Sequence, residues 1–196
     1  MATASDAEKD TDAKLYFEYG GQTYKAVQIG TQIWMAENLN YKAEGSKFYD
    51  NSVDNGAKYG RLYNWETAMK VCPQGWHLPT NEEWDKLFRF VDGDTGSKSP
   101  YKSEKAGRHL KAASGWNSHM GAGGDGTDEF GFSALPGGSG NLDGSFSNVG
   151  SNGLWWSASV SNISNACYRY MSCNNDRAYW SHGNKSDLYS VRCLKD

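Results

Sequence analysis

The stretch from residue 159 to 187, SVSNISNACYRYMSCNNDRAYWSHGNKSD, restricts what this chain can fold into more than any other segment. Ser and Asn fill eleven of its 29 positions, Tyr and Trp are set among them, and Glu, Gln, Thr, Leu, Phe and Pro are absent. A core segment would carry Leu or Phe, because buried apolar surface drives folding. The segment therefore needs a core supplied by the rest of the chain, and its composition indicates a specialised surface.

The rest of the chain is long enough to supply that core, since 196 residues suffice for one sizeable domain. Eight Trp and 23 Gly favour a loop-rich fold in which large rings form the core. The net charge of −3 gives no electrostatic basis for binding nucleic acid or inserting into an anionic membrane. No apolar run approaches the roughly 18 residues needed to span a bilayer.

Residues 1–14 are polar and lack the apolar stretch of a secretory signal. We interpret them as a flexible leader or an artificial chain end, or as the remnant of a removed export signal or lipid-anchor tether. The folded domain is predicted to occupy 15–196.

Strands are predicted at both ends of this domain. Alternating aromatic or branched and polar residues predict a hairpin and a further strand over 15–39, with a turn at Gly20 and Gly21. Towards the C-terminus, similar patterns occur in LWWSAS, ACYRYMSC, RAYWS and LYSVRCLKD.

Helical spacing of apolar residues predicts two early helices, near 63–71 and 81–91. The second begins at a capping box formed by Thr80 and Glu83. Loops are predicted for 41–60 and for most of 92–153, with one short helix near 104–112. Five apolar residues of the long loop are expected to reach the core: Trp116, Phe130, Phe132, Leu135 and Phe146. The fold class is therefore α+β, with long Gly/Ser/Asn-rich loops.

Six pieces of the sequence together resemble one bacterial family: IGTQIWMAENLNY, YNWETAM, CPQGWHLPTNEEW, GFSALPGG, WWSAS and YSVRC. They are similar to the Fibrobacter succinogenes major paralogous domain over about residues 20–196. The resemblance implies a C-type-lectin-like fold whose N- and C-terminal strands pair, with two helices and a long loop region between them.

The last part resembles the variable region of a diversity-generating retroelement, which some members of this family carry. There a reverse transcriptase copies a template with errors at adenines, typically in Asn codons of the AAY type. Such changes reach Ser, Tyr, Asp, His, Ile, Val, Cys, Arg, Gly and Ala, but not Glu, Gln or Lys. The segment fits this restriction except at Met171, Trp180 and Lys185.

The residue types agree with such a binding role, since Tyr and Trp give rigid contact area and Ser and Asn adapt their hydrogen bonds. The alternative is an ordinary polar hairpin edge. We predict a ligand-binding surface within 160–187, in which Arg177, Tyr179 and Trp180 form a hot-spot cluster. Tyr168 should point inward, with Ala166 or Ala178 as a further inward position. The predicted ligand-binding residues are Val160, Ser161, Ile163, Ser164, Cys167, Tyr170, Ser172, Cys173, Asp176, Arg177, Tyr179, Trp180, Ser181, His182, Ser186 and Asp187.

The four cysteines match no paired zinc pattern. Disulfides in an exported protein are favoured over buried free thiols and over a catalytic Cys. Cys72 and Cys193 lie in family-like motifs and are predicted to come within disulfide or thiol-contact range. Cys167 and Cys173 should not pair, because six strand residues span about 20 Å, well beyond the Cα separation of a disulfide.

Acidic loops suggest calcium, but neither offers a full ligand set. Ser103 stands where an EF-hand loop beginning at Asp92 would need its bidentate Glu. We therefore predict no cofactor, with a structural calcium as the minor alternative, and assign turn roles to the acids of both loops. These are Asp92 and Asp94 in one loop, and Asp125, Asp128 and Glu129 in the other.

No catalytic motif connects the four histidines (His77, His109, His119 and His182), and His77 is interpreted as a packed structural residue. We expect a binding protein, extracellular and anchored to a cell surface or carried on a pilus or phage fibre, with protein or glycan partners. The alternatives are a fixed carbohydrate-binding or structural cell-surface module and, less favoured, an enzyme of the formylglycine-generating type.

Overall fold

The computed structural model describes residues 15–93, 102–121 and 123–196, which form a mixed α+β fold built mostly of strands. None of the described helices is long and apolar enough to cross a membrane. The helices are α1 (Val53–Tyr59), α2 (Trp65–Ala68), α3 (Asn81–Val91) and α4 (Ala106–Leu110), with a 3₁₀ turn at Tyr49–Asn51. The strands are β1 (Leu15–Tyr19), β2 (Gln22–Ile29), β3 (Gln32–Met35), β4 (Trp76–His77), β5 (Lys102–Ser103), β6 (Gly137–Gly140), β7 (Phe146–Val149), β8 (Asn152–Val160), β9 (Asn165–Ser172), β10 (Ala178–Asn184) and β11 (Leu194–Lys195).

The strands form two sheets. The first has the order β1-β2-β3-β11-β4, so the last strand pairs with an early one, Leu194 opposite Trp34. The second has the order β5-β10-β9-β8-β6-β7, and its central strands β8, β9 and β10 are antiparallel neighbours. Pairing of terminal strands, expected from the family resemblance, is therefore present.

Helix α3 forms where the local sequence predicts it. Thr80 accepts a hydrogen bond from the Glu83 backbone, and the Glu83 carboxylate accepts one from the backbone of Thr80, which completes the capping box. The apolar residues of the helix, Trp84, Leu87, Phe88 and Val91, are buried. The rings of Trp84 and Trp34 lie 4.6 Å apart, so the helix packs on the first sheet.

Two of the helix predictions differ from the structure. The helix expected near 63–71 is a single turn, α2, which begins at the Asn64 N-cap and ends at Ala68. The segment 41–60, predicted as loop, contains α1, whose N-cap is Ser52. Gly56 is required within it, since a Cβ there would lie 2.3 Å from the Phe48 ring. A Gly in a short helix lowers its propensity, and the contact with Phe48 compensates for this.

In the second sheet, side chains on both faces of β8 are buried, whereas most residues of β10 are half-buried or exposed. Adjacent side chains of a strand point to opposite faces, so Trp155 enters one core cluster, with Trp84 and Phe132, while Trp156 enters another, with Tyr63 and Val191. Of the long-loop residues predicted to reach the core, Trp116 and Phe132 are buried, Phe130 packs against the same cluster, Leu135 is half-buried, and Phe146 packs instead on Tyr49.

His77 joins the start of α3 to the end of the chain. Its Nε2 lies 2.9 Å from Glu83 Oε1, and its Nδ1 lies 2.6 Å from Asp196 Oδ1. Partial burial alone would lower the pKa of His77, but the hydrogen bonds to Asp196 and Glu83 outweigh it and raise that pKa. The arrangement matches the structural role predicted for this histidine.

A disulfide joins Cys72 to Cys193, as predicted, with a Cα separation of 5.8 Å. It spans 121 positions of sequence and ties the end of the α2 region to the segment leading into β11. Cys167 and Cys173 are both free thiols, which confirms that they do not pair.

Reduction of this disulfide should lower the free energy of unfolding by about 2–5 kcal/mol, because a long loop in the unfolded chain is no longer closed. Urea unfolding with and without reductant measures the change. A Cys173→Ala variant, which retains the bridge, should respond to reductant as the wild type does. An unfolding midpoint that reductant leaves unchanged would show that the bridge contributes no stability.

Candidate ligand-binding surface

The segment 159–187 forms the end of β8, the hairpin of β9 and β10, and the loops next to them. Strand β9 pairs with β8 on one side and with β10 on the other, the latter over seven residue pairs from Ala178–Met171 to Asn184–Asn165. The turn of this hairpin, residues 173–177, and the loop 161–164 lie at opposite ends of the two strands.

One face of this hairpin carries a row of tyrosines, which we call the tyrosine face: Tyr168, Tyr170 and Tyr179. Tyr170 and Tyr179 are directly opposite across the strands, and their rings stack with centroids 4.8 Å apart. Tyr168 continues the row towards the buried Tyr189, at a centroid distance of 4.8 Å. Burial raises the pKa of Tyr170, and the neighbouring Tyr179 and Tyr168 add to the effect. The face is partly exposed and preorganised.

The opposite face carries a buried arginine that the sequence reasoning missed. Arg169 is 1% exposed, and its guanidinium donates to Asn81 Oδ1 at 2.9 Å and to Asp85 Oδ1 at 2.8 Å, both on α3. Burial lowers the pKa of Arg169, although Asp85 partly opposes this. The signal that could have revealed it is alternation, since the apolar Met171 two positions later lies on the same face.

Most of the predicted binding residues are at least partly exposed, with two corrections. Cys167 is 5% exposed and Ser172 is 8% exposed, so both predictions of a surface position are wrong. Cys167 lies on the same face of β9 as Arg169, which contacts α3. Ser172 lies at the end of β9, where its carbonyl accepts a hydrogen bond from the buried Lys111. Exposed or half-buried are Val160, Ser161, Ile163, Ser164, Tyr170, Cys173, Asp176, Arg177, Tyr179, Trp180, Ser181, His182, Ser186 and Asp187.

The structure also corrects the expected cluster of Arg177, Tyr179 and Trp180. Because Tyr179 and Trp180 are consecutive in β10, their side chains point to opposite faces of the sheet. Trp180 is half-buried and lies opposite Arg169, whereas Tyr179 lies on the tyrosine face. Ala166 and Ala178 are both fully buried, as predicted, whereas Tyr168 is half-buried against Trp156 and lies on the tyrosine face, so the inward prediction for Tyr168 holds only in part.

Lys111, a buried lysine outside the segment, hydrogen-bonds the backbone of the hairpin turn. Lys111 is 1% exposed, and its ammonium donates to the carbonyl oxygens of Gly124 at 2.7 Å, Ser172 at 3.2 Å and Asn175 at 3.1 Å. Burial lowers the pKa of this ammonium. None of these contacts depends on which side chain residue 172 or 175 carries.

Helix α4 supports the same turn by contacts of the same kind. A Cβ at Gly107 would lie 2.2 Å from the carbonyl oxygen of Arg177, so the helix meets the turn backbone directly. The Arg108 N–H donates to the carbonyl of Asp176 at 2.9 Å. These contacts hold the turn through its backbone, and within the turn the Asn175 side chain also accepts from the Arg177 N–H at 2.9 Å.

Lys185 hydrogen-bonds the backbone of the loop 161–164, at the opposite end of the hairpin. Its backbone N–H donates to the carbonyl of Ser164 at 2.9 Å, and its ammonium donates to the carbonyl of Ile163 at 3.1 Å. The ammonium also lies 4.7 Å from the centre of the Trp65 ring. The backbone N–H of Trp65 donates to the Lys185 carbonyl at 3.0 Å. The loop side chain of Ile163 is left 94% exposed.

The acidic loops are engaged in local hydrogen bonds, consistent with turn roles. Asp92 accepts from the Ser103 hydroxyl at 2.6 Å, Asp125 from the Trp116 N–H at 2.9 Å, and Asp128 from the Ser133 N–H at 2.6 Å. Asp94 lies outside the described residues. Within the described ranges, no group of three or more His, Cys, Asp and Glu side chains is placed to hold a metal ion.

Comparison with known families assigns the chain. Residues 27–195 match the Fibrobacter succinogenes major domain, so the protein belongs to this family. Comparisons with curated proteins and with solved structures return no significant match.

A Lys111→Met variant tests the support of the turn, because it keeps the side-chain length and removes the ammonium. Losing these hydrogen bonds, each contributing about 0.5–1.5 kcal/mol, should accelerate amide hydrogen exchange over 173–177 by about tenfold or more. Lys86→Met, at an exposed position of α3, is the matched control. Unchanged exchange at the turn in a folded Lys111→Met protein would exclude this role.

Proposed function

We propose that this domain is a ligand-binding module of C-type-lectin-like architecture, whose binding surface lies in residues 160–187 and is diversified by a retroelement. It acts by binding rather than by catalysis, without a cofactor. Its partners are protein or glycan ligands, and its place is outside the cell, on a cell surface, pilus or phage fibre.

The observation that carries this proposal is how the segment is held. Residues outside it or at its edge, Lys111, Gly107 and Trp65, contact its loops through backbone atoms. A surface whose side chains are exchanged must keep its backbone in place without relying on them, since substitution of packed side chains costs about 2–5 kcal/mol. The backbone contacts of Lys111, Gly107 and Trp65 support this requirement, and the Asn162 and Asn175 side chains add hydrogen bonds within the two loops.

The residues that adenine mutagenesis cannot produce give separate support. Met171 is fully buried in the core cluster that contains Trp155 and Ala178, and Lys185 anchors the loop at Ile163. Trp180, the third, is half-buried beside the Arg169 face. Positions outside the accessible codon set thus coincide with positions that have packing or anchoring roles.

The exposed residues suit recognition of varied ligands. Tyr170 and Tyr179 offer rigid aromatic area, while neighbouring Ser and Asn side chains can change their hydrogen bonds with little rearrangement. The apolar tip at Ile163 can enter a pocket of a partner, and Arg177 can pair with an acidic group. This mixture favours ligand binding over a purely structural surface.

The gene's neighbourhood tests the diversification directly. Sequencing the flanking DNA should reveal a reverse transcriptase and a near-copy of the codons for residues 155–193. The copy should differ from the gene at adenines of the template, and the codons for Met171 and Lys185 should be identical in both.

Absence of both the reverse transcriptase and the copy would contradict the proposal and leave a fixed carbohydrate-binding or structural module. Differences scattered over all four bases would contradict adenine mutagenesis in the same way.

A further inference from the structure

A cleft of about 580 Å³ opens beside the hairpin turn. Half of its lining belongs to the turn, from Cys173 to Arg177, and half lies outside the 159–187 segment. The outside residues are Glu104, Arg108, Lys111, His119 and Gly123. Whatever side chains the turn carries, these residues remain part of the cleft.

The cleft contains two cations whose charge is incompletely paired. Lys111 donates to carbonyl oxygens, and no carboxylate within the described ranges forms an ion pair with it. Among the residues that the structure describes, one carboxylate lies within 4 Å of Arg108, that of Asp176 at 3.7 Å, which is too long for a good hydrogen bond. The Arg108 side chain is 55% exposed, so its donors are accessible to a ligand.

Glu104, the acidic lining residue outside the 159–187 segment, contributes little unpaired negative charge to oppose Arg108 and Lys111. Glu104 lies 2.6 Å from Lys102 Nζ and 2.6 Å from Arg177 Nε, so two cations share its charge. The hydrogen bonds from Lys102 and Arg177 hold the pKa of Glu104 below its usual value. Among the charged residues that line the cleft, Arg108, Lys111 and Arg177 stand against Glu104 and Asp176, a balance of one positive charge on a chain whose net charge is −3.

A concave site with low-dielectric walls concentrates such a potential towards its mouth. Arg108 offers a planar set of donors that matches a carboxylate, sulfate or phosphate. The exposed Asn174 side chain adds a polar group that can hydrogen-bond neighbours of the anion. The volume fits a group of the size of a monosaccharide or an amino acid.

We propose that this cleft is a subsite for an anionic group of the ligand, held by the fixed Arg108 above the buried Lys111. The proposal rests on the binding function proposed above and deepens it. Because Arg108 and Lys111 lie outside the diversified segment, variants with different turns would share a requirement for a negatively charged group. The side chains of each turn would select what surrounds that group.

The test uses small probes and the folded domain. D-glucuronate, glucose 6-sulfate and N-acetyl-L-aspartate represent an acidic sugar, a sulfated sugar and an acidic amino acid, and glucose is the neutral control. Titration followed by backbone amide NMR should give saturable shifts at residues 108 and 174–177 with one or more of the anions, and none with glucose. The anion that binds identifies the source of the charge.

Arg108→Gln should raise the dissociation constant of that anion about tenfold or more, because a charge-assisted hydrogen bond is lost, and Arg108→Lys should retain part of the affinity. Arg89→Gln, an equal loss of charge at an exposed position of α3, should have no effect.

The proposal is overturned if no anion gives saturable shifts, if glucose binds as well, or if Arg89→Gln weakens binding as much as Arg108→Gln. None of these outcomes bears on the gene's neighbourhood, so failure of this subsite and failure of the diversification proposal are distinguishable.

Discussion

The buried side-chain amide of Asn38 joins parts of the chain that are far apart in sequence. Its Oδ1 accepts from the Trp155 indole N–H at 2.9 Å and from Arg192 Nε at 2.9 Å, while its Nδ2 donates to the Tyr59 carbonyl at 2.9 Å. Asn38 is 5% exposed, so loss of the amide would leave the buried indole N–H of Trp155 and the buried Nε–H of Arg192 without this acceptor. The first sheet, the central strand β8 and the C-terminal segment therefore depend on one group.

The support of the proposed binding surface begins at this network. The Arg192 guanidinium packs against the Phe132 ring and donates to the Ser133 carbonyl at 2.7 Å, which fixes the loop before β6. That loop pairs with the segment of Lys111, since the Ala134 N–H donates to the Leu110 carbonyl at 2.9 Å. Lys111 in turn holds the hairpin turn. A continuous series of contacts thus runs from the buried network to the loops that carry the exposed side chains.

Local signals in the sequence were sufficient for some of these features. The capping box at Thr80 predicted α3 correctly because helix initiation depends on residues a few positions apart. The disulfide followed from the family motifs rather than from spacing. The buried role of Lys111 could not be predicted in this way, since charged residues are normally exposed and its partner Ser172 lies 61 positions away in sequence. For Arg169, strand alternation indicated the buried face but not the partners Asn81 and Asp85 on α3. Strand alternation places Tyr179 and Trp180 on opposite faces of the sheet. The prediction of one cluster containing both did not take this alternation into account.

In the proposed binding surface, residues outside the segment support the backbone of 160–187 while its exposed side chains are interchangeable. A library that randomises each position of the segment in turn, displayed on cells and sorted for folded protein, measures this directly. We predict broad tolerance at Ile163, Asp176 and His182, and strong depletion at the buried positions Ala166, Arg169, Met171 and Ala178. Depletion at the exposed positions equal to that at the buried ones would contradict the claim.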